Sequence, residues 1–131
     1  MDKIRVAIVD NDLNWIKQFT SFLNAEKDIM VAWSATNKED TIRLAKESPV
    51  DFILMNINLK MDPENYDGIE ATKAIIGNAK TTRIIMMASL FQEDVDMIKK
   101  SIFAGAVDYK LKQNFPDIPN ALRAEYYQLT G

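Results

Sequence analysis

Residues 52–55, Phe-Ile-Leu-Met, constrain the fold of this chain more than any other stretch. These four apolar residues follow Asp51 without polar alternation, which indicates a strand covered on both faces in the middle of a sheet. Asn56 comes next, where this predicted strand ends. In open α/β sheets, ligands bind at the carboxyl ends of central strands, so Asn56 is the first candidate for a functional residue.

Apolar runs and helical periodicities alternate along the whole chain. Short runs rich in β-branched and aromatic residues predict strands, and apolar residues at helical spacing follow each of them. The predicted strands are 4–9, 29–35, 52–55, 84–87 and 107–111. The predicted helices contain Ile16, Phe19, Phe22 and Leu23; Ile42 and Ala45; Ile69, Ile75 and Ile76 within 68–77; Val95, Ile98 and Ile102; and residues 118–129.

Helix start and stop signals lie where this pattern requires them. Asp12 is suited to cap the first helix, and Thr36 or Asn37 the second, which Pro49 ends. Gly105 is suited to end the fourth helix. Five strands that alternate with five helices predict parallel pairing and right-handed crossovers, hence an α/β doubly wound sheet. At 131 residues we expect one domain, spanning 1–131.

Composition excludes several kinds of chemistry. The chain has no cysteine and no histidine, which removes disulfides, thiol chemistry, serine-histidine triads and most zinc sites. Its net charge of -3 offers no basic surface, so we expect no direct binding to nucleic acid or to a membrane. No signal peptide and no apolar run of membrane-spanning length are present, and the missing cysteines favour a cytoplasmic location.

Three motifs together resemble one known family. Asp10 and Asn11 follow the first strand, Asp67-Gly-Ile-Glu follows the third strand after one loop, and Lys112 follows the fifth strand. This arrangement resembles the response regulator receiver domain of two-component signalling, over essentially the whole chain. The resemblance implies a flavodoxin-like (βα)5 fold with strand order 2-1-3-4-5.

The resemblance also implies a reaction, in which a partner kinase's phosphohistidine passes its phosphoryl group to an aspartate of the receiver. A divalent metal, a lysine and a hydroxyl group stabilise the transferred charge. By position, Asn56 stands in the place of the acceptor, and Asp10 and Asn11 in the place of the acidic pair. Asn58 stands where the family lends a backbone carbonyl to the metal.

The remaining family positions lie at the ends of the fourth and fifth strands. Lys112 matches the phosphoryl-binding lysine, with Lys110 as a competitor two residues away. Tyr109 matches the aromatic residue that changes rotamer on activation. The hydroxyl position falls on Ala88 in an ungapped match and on Ser89 after a shift of one residue, and the sequence leaves both open.

Asparagine at positions 11 and 56 changes the expected chemistry. Of three carboxylates in the family pattern, Asp10 alone remains to face Lys112, with Asp12 as a candidate outer neighbour. A unit charge about 4 Å from a metal is worth roughly 4 kcal/mol at an effective dielectric of about 20. We therefore expect Mg2+ to bind weakly or not at all, since it also dehydrates reluctantly. A neutral amide cannot form an acyl phosphate, so we expect no phosphorylation at Asn56 and no enzymatic activity.

Two origins of Asn56 remain open: an engineered Asp-to-Asn change, or a natural pseudo-receiver that signals through binding alone. Asn11 favours the second, since one engineered change would not explain both residues. The expected partners are a sensor histidine kinase or another regulatory protein, and a C-terminal DNA-binding output domain outside this sequence. A homodimer would use the face made by the fourth helix, the fifth strand and the fifth helix, around Tyr126, Tyr127 and Leu129.

A flavodoxin-like domain that binds FMN or a nucleotide is the alternative function. Such a site needs a Gly/Ser/Thr-rich loop after the first strand to hold phosphate. The sequence has Asp10-Asn-Asp12 there, which would repel a phosphate group.

Overall fold

The computed structural model describes residues 2–62, 64–79, 81–89 and 95–130, with only the backbone of 129 and 130. Its strands are β1 (Ile4–Val9), β2 (Ile29–Ala35), β3 (Phe52–Asn56), β4 (Arg83–Ala88) and β5 (Asp108–Leu111). Its helices are α1 (Leu13–Asn24), α2 (Lys38–Glu47), α3 (Asp67–Asn78), α4 (Val95–Ala104) and α5 (Ile118–Thr130), with a 3-10 segment at Lys112–Asp117. None of the helices in these described ranges has the length and hydropathy needed to cross a bilayer.

The described strands form one parallel sheet in the order β2-β1-β3-β4-β5, as predicted. β3 lies in the centre between β1 and β4, and all five of its residues are buried. Met55 pairs with Val9 of β1 and with Met86 of β4. This register brings Asn56 to the same edge of the sheet as Asp10, the residue after β1.

Helices cover the sheet on both faces because the side chains of β3 alternate between two apolar clusters. Ile53 and Met55 belong to a cluster that includes residues of α2, α3 and α4. Phe52 and Leu54 belong to the cluster formed with α1 and α5. The strand is therefore apolar throughout, because each of its faces packs against a layer of helices.

The caps confirm the predicted helix boundaries. Asp12 Oδ1 accepts hydrogen bonds from the N–H groups of Asn14, at 3.0 Å, and of Trp15, at 3.2 Å. Asn37, and not Thr36, caps α2, since its Oδ1 accepts from the Asp40 N–H at 2.8 Å.

Two elements differ from the sequence prediction. β5 begins at Asp108 and is followed by the 3-10 segment, which contains Pro116. Proline has no N–H to donate, so a short 3-10 segment precedes α5. On α4, Ile102 is 48% exposed, whereas Ser101 and Ala104 are buried. The core face of this helix combines one large apolar residue, Met97, with the small residues Ser101 and Ala104.

Gly68 lets the start of α3 approach the end of β3. Its N–H donates to Ile57 O at 2.8 Å. A Cβ atom at this position would lie 1.9 Å from the backbone oxygen of Asn56. The Gly68 contact helps to hold Asn56 in place.

Gly105, with a φ of 116°, ends α4 in the left-handed conformation that favours glycine.

We expect Gly68→Ala to destabilise the fold by about 2 kcal/mol or more, because the added methyl group meets backbone and not a movable side chain. The matched control is Gly77→Ala in the same helix, where a Cβ would have no atom within 4 Å. That variant should be stabilised by about 0.5 kcal/mol or more through helix propensity. Urea denaturation measures both, and equal effects would contradict the role of the close approach.

Arg123 ties α5 to the turn between α1 and β2. Its guanidinium donates to both carboxylate oxygens of Asp28 at 2.8 Å and to Glu26 Oε1 at 3.1 Å. The hydrogen bonds from Arg123 hold the pKa of Asp28 below its ordinary value of 3.8. The folded state therefore favours the ionised form of Asp28.

Because the pKa of Asp28 is lower in the folded state, its stabilisation is present above pH 3.8 and is lost as the pH falls further. Asp28→Asn should therefore lower the free energy of unfolding at neutral pH, by a difference that shrinks below that value. Asp2→Asn, at an exposed position, serves as the control. Unfolding of the three proteins as a function of pH gives the measurement, and a difference independent of pH would contradict the assignment.

Candidate functional site

Four polar side chains meet at the carboxyl edge of the sheet. Asp10 follows β1, Asn56 ends β3, Ser89 follows β4 and Lys112 follows β5. A cleft of about 880 Å³ opens at this edge, and its walls include Asn56, Ser89 and Lys112 together with Asn11 of the β1–α1 loop. The structure thus brings together residues that are far apart in sequence, at the place where α/β sheets bind their ligands.

Asp10 and Lys112 form a buried ion pair. Asp10 is 1% exposed, and its Oδ2 contacts the Lys112 ammonium. Its other oxygen accepts the Asp12 N–H at 2.9 Å. Burial raises the pKa of Asp10, and the Lys112 ammonium and the Asp12 N–H oppose that rise. The competitor Lys110 instead contacts Asp108, with 3.5 Å between Nζ and Oδ2.

The amide group of Asn56 has a fixed orientation. Its Nδ2 donates to the backbone oxygen of Asn58 at 2.6 Å and to Asn11 Oδ1 at 3.4 Å. A backbone oxygen can only accept, so the nitrogen and not the oxygen must face Asn58. Asn56 Oδ1 is buried and has no hydrogen-bond partner among the described residues. Asn56 therefore acts as a donor towards the two neighbouring loops.

Asparagines also shape the loop between β3 and α3. Asn58 Nδ2 donates to the backbone oxygen of Asp62 at 2.8 Å. Asn65 Oδ1 accepts the N–H groups of Leu59 and Asp67, each at 3.1 Å, and so connects the loop to the first residue of α3. These bonds connect the described residues of the loop, 57–62 and 64–66, to one another and to α3.

Ala88 and Ser89, the two candidates for the hydroxyl position, have different surroundings. Ala88 is 0% exposed and lies in the apolar cluster with α2, α3 and α4. Ser89 lies in the wall of the cleft. Tyr109, on β5, is partly buried against the same apolar cluster and lines a separate hollow of about 460 Å³ beside α4. Of the two candidates, Ser89 is therefore the one that borders the cleft.

The donor set does not fit a tightly held divalent cation. Within the part of the chain that the structure describes, no three acidic, histidine or cysteine side chains group together to hold a metal ion. Asp10 is the one carboxylate at the base of the site, and Lys112 already neutralises it. Asn11 and Asn56 are neutral amides, and the carboxylates of Asp12 and Asp62 in the cleft wall accept backbone N–H groups of Asn14, Trp15 and Glu64. Hard cations such as Mg2+ depend on carboxylate ligands, so the site offers little to attract one.

A model of the response regulator receiver domain matches residues 6–123. The chain belongs to the response regulator receiver domain family. Receiver domains are parts of two-component systems, interact with histidine kinases and are generally not enzymes in themselves. They generally bind Mg2+ at an acidic phosphorylation site.

Relatives of this receiver domain include two regulators of Bacillus subtilis (strain 168). It is 35% identical over 124 residues to the uncharacterized transcriptional regulatory protein YxjL, covering 94% of this chain and 54% of that protein. It is 36% identical over 122 residues to the transcriptional regulatory protein LiaR, covering 92% of this chain and 55% of that protein. The chain thus spans about half the length of the curated relatives it matches.

A solved receiver structure also resembles this one. The response regulator domain of Thermotoga maritima CheB superposes with a TM-score of 0.80 at 29% identity, covering 93% of this chain and 95% of that one. Together with the family match, this result disfavours the FMN or nucleotide-binding alternative.

Two residues of the site had not been singled out from the sequence. Trp15 of α1 places its ring 5.2 Å from Lys112 Nζ, in a cation–π contact. Met61 is 97% exposed beside the cleft, and its sulfur lies 3.8 Å from Asn11 Nδ2. Neither residue belongs to a sequence motif. Trp15 lies at the site because of the position of α1, and Met61 because of the position of the β3–α3 loop.

Removing Lys112 should destabilise the receiver, because Asp10 would keep a buried charge without its partner. We expect Lys112→Met to lower the free energy of unfolding by about 3 kcal/mol. Lys110→Met should change it by less than about 1 kcal/mol, since the Lys110–Asp108 pair is partly exposed. Adding Asp10→Asn to Lys112→Met should restore part of the loss. Equal effects at positions 110 and 112 in urea denaturation would contradict this account.

Proposed function

We propose that this receiver domain signals through protein contact, without phosphoryl transfer to position 56. The orientation of the Asn56 amide carries this proposal. Its nitrogen donates to Asn58 O at 2.6 Å, so no anionic oxygen stands where the family has its nucleophile. The Asn56 amide oxygen is neutral and its lone pair is delocalised, so attack on a phosphoryl group would not give a stable acyl phosphate.

In this proposal the other residues of the site keep the family positions without the family reaction. Asp10 and Lys112 neutralise each other, and Asn11 and Asn58 accept hydrogen bonds from Asn56. Ser89, and not Ala88, takes the hydroxyl position, because it borders the cleft. The partial burial of Tyr109 on β5 supports its role as the residue that changes rotamer when a partner binds.

The α4–β5 face supports a role in partner binding. Phe103 is 90% exposed, Ile102 is 48% exposed, and Val107 beside β5 is 42% exposed. Tyr127 on α5 is 53% exposed, whereas Tyr126 packs against the apolar cluster with α1. Exposed apolar residues grouped in this way are typical of interaction surfaces. We propose that a regulatory protein or a second copy of the domain binds here.

Further expectations about the whole protein rest on the relatives. Both Bacillus regulators are named as transcriptional regulatory proteins and are about twice as long as this chain. A DNA-binding output domain in the same protein is therefore proposed, with residues 1–131 as its single receiver domain. A sensor histidine kinase as partner, a cytoplasmic location and the lack of enzymatic activity stay predictions.

Intact-mass spectrometry after incubation with Mg2+ and acetyl phosphate tests the proposal. We expect no added phosphoryl group on the unsubstituted chain, because Asn56 offers no carboxylate. Asn56→Asp, treated in parallel, shows whether the rest of the site is competent. Gain of a phosphoryl group by this variant alone would make Asn56 the single change that prevents the reaction.

If neither chain gains a phosphoryl group, Asn11 also contributes to the loss of phosphoryl transfer. That result would favour a natural pseudo-receiver. Modification of the unsubstituted chain at Asn56 would overturn the proposed function.

A further inference from the structure

We propose that the Asn56 amide and the Lys112 ammonium take the place of the divalent cation, so that side chains of the receiver itself hold its site closed. This inference rests on the proposed function and extends it from phosphoryl transfer to metal binding. The oxygen atoms concerned are those at the positions where the family binds a cation.

Asn56 bonds two of these oxygen atoms at once. The backbone oxygen of Asn58 belongs to the β3–α3 loop, and Asn11 Oδ1 belongs to the β1–α1 loop. Both accept hydrogen bonds from Asn56 Nδ2, at 2.6 Å and 3.4 Å. A primary amide nitrogen carries two N–H groups, one for each acceptor. The amide therefore connects the two loops that a bound cation would connect.

Lys112 takes the remaining charged ligand. Asp10 Oδ2 contacts its ammonium, and Asp10 Oδ1 accepts the Asp12 N–H at 2.9 Å. Both carboxylate oxygens are thus already bonded to positive or partly positive groups. A cation would have to displace an ammonium from a carboxylate that is only 1% exposed, and would also have to lose its own water.

Asn56 Oδ1 is the oxygen best suited to bind a cation, because it is buried and has no hydrogen-bond partner among the described residues. It is a single neutral oxygen, however, and the same amide group directs its N–H groups at Asn58 and Asn11. Turning the amide to release those two oxygen atoms would break both hydrogen bonds. The orphaned oxygen therefore does not make a cation site while the amide keeps this orientation.

Carboxylate substitutions separate the effect of the amide from that of charge. Asn56→Asp adds one negative charge and removes the N–H donors, so Asn58 O becomes available to a cation. Asn11→Asp adds the same charge beside the cleft but leaves the Asn56 amide and its bond to Asn58 in place. If the amide substitutes for the cation, only the first variant gains a Mg2+ response.

The thermal midpoint of each chain is measured in about 10 mM MgCl2 and in NaCl of equal ionic strength, since a ligand of the folded state raises the midpoint. The unsubstituted chain should shift by less than about 0.5 °C. Asn56→Asp should rise by about 3 °C or more, and Asn11→Asp by less than about 1 °C. A clear rise in the unsubstituted chain, no rise in Asn56→Asp, or equal rises in both variants would overturn the inference.

A second measurement needs no variant. In 1H–15N NMR spectra, the side-chain amide protons of Asn56 should exchange with water far more slowly than those of exposed Asn114, and Mg2+ should leave their positions unchanged. Rapid exchange, or a shift with Mg2+, would contradict the bridge. Binding of Mg2+ without any gain in mass from acetyl phosphate would overturn this inference and leave the proposed function standing.

Discussion

Burial of β3 on both faces is the constraint on which the rest of the structure depends. A strand with the apolar sequence Phe-Ile-Leu-Met needs a neighbour on each side and a helical layer on each face. Parallel neighbours then end at the same edge, and the polar residues that follow them must meet there. The cleft and its contents are thus a consequence of how the centre of the sheet is covered.

Much of this arrangement could be predicted from the sequence because it depends on local chemistry. Asp12 caps α1 and Gly105 ends α4, as short-range signals indicate. Strand order follows from the alternation of elements together with the family motifs. The pairing of Asp10 with Lys112 instead of Lys110 is harder to predict, since both lysines lie near the end of β5. It depends on where that strand leaves the sheet and the 3-10 segment begins.

Other features depend on positions that a sequence does not encode locally. Successive residues of a strand face opposite sides, so a shift of one residue exchanges a core position for an exposed one. That is why Ala88 and Ser89 could not be separated before the end of β4 was known. On α4, the large apolar residues Ile102 and Phe103 are exposed, whereas Met97, Ser101 and Ala104 form the buried face. Periodicity alone does not distinguish a core face from an interaction face.

Asparagine at positions 11 and 56 lowers the negative charge at the carboxyl edge of the sheet. Three carboxylates around a single lysine carry excess negative charge at a nearly buried site, which a bound cation would offset. Asp10 is paired with Lys112, whose ammonium balances its charge. Asn56 then supplies donors for oxygen atoms that would otherwise lack partners, and Asn11 supplies one of those oxygens. An aspartate at position 11 beside Asn56 would add a second carboxylate, and Lys112 could not balance both. The two residues therefore fit the proposal that this site works without metal or phosphate.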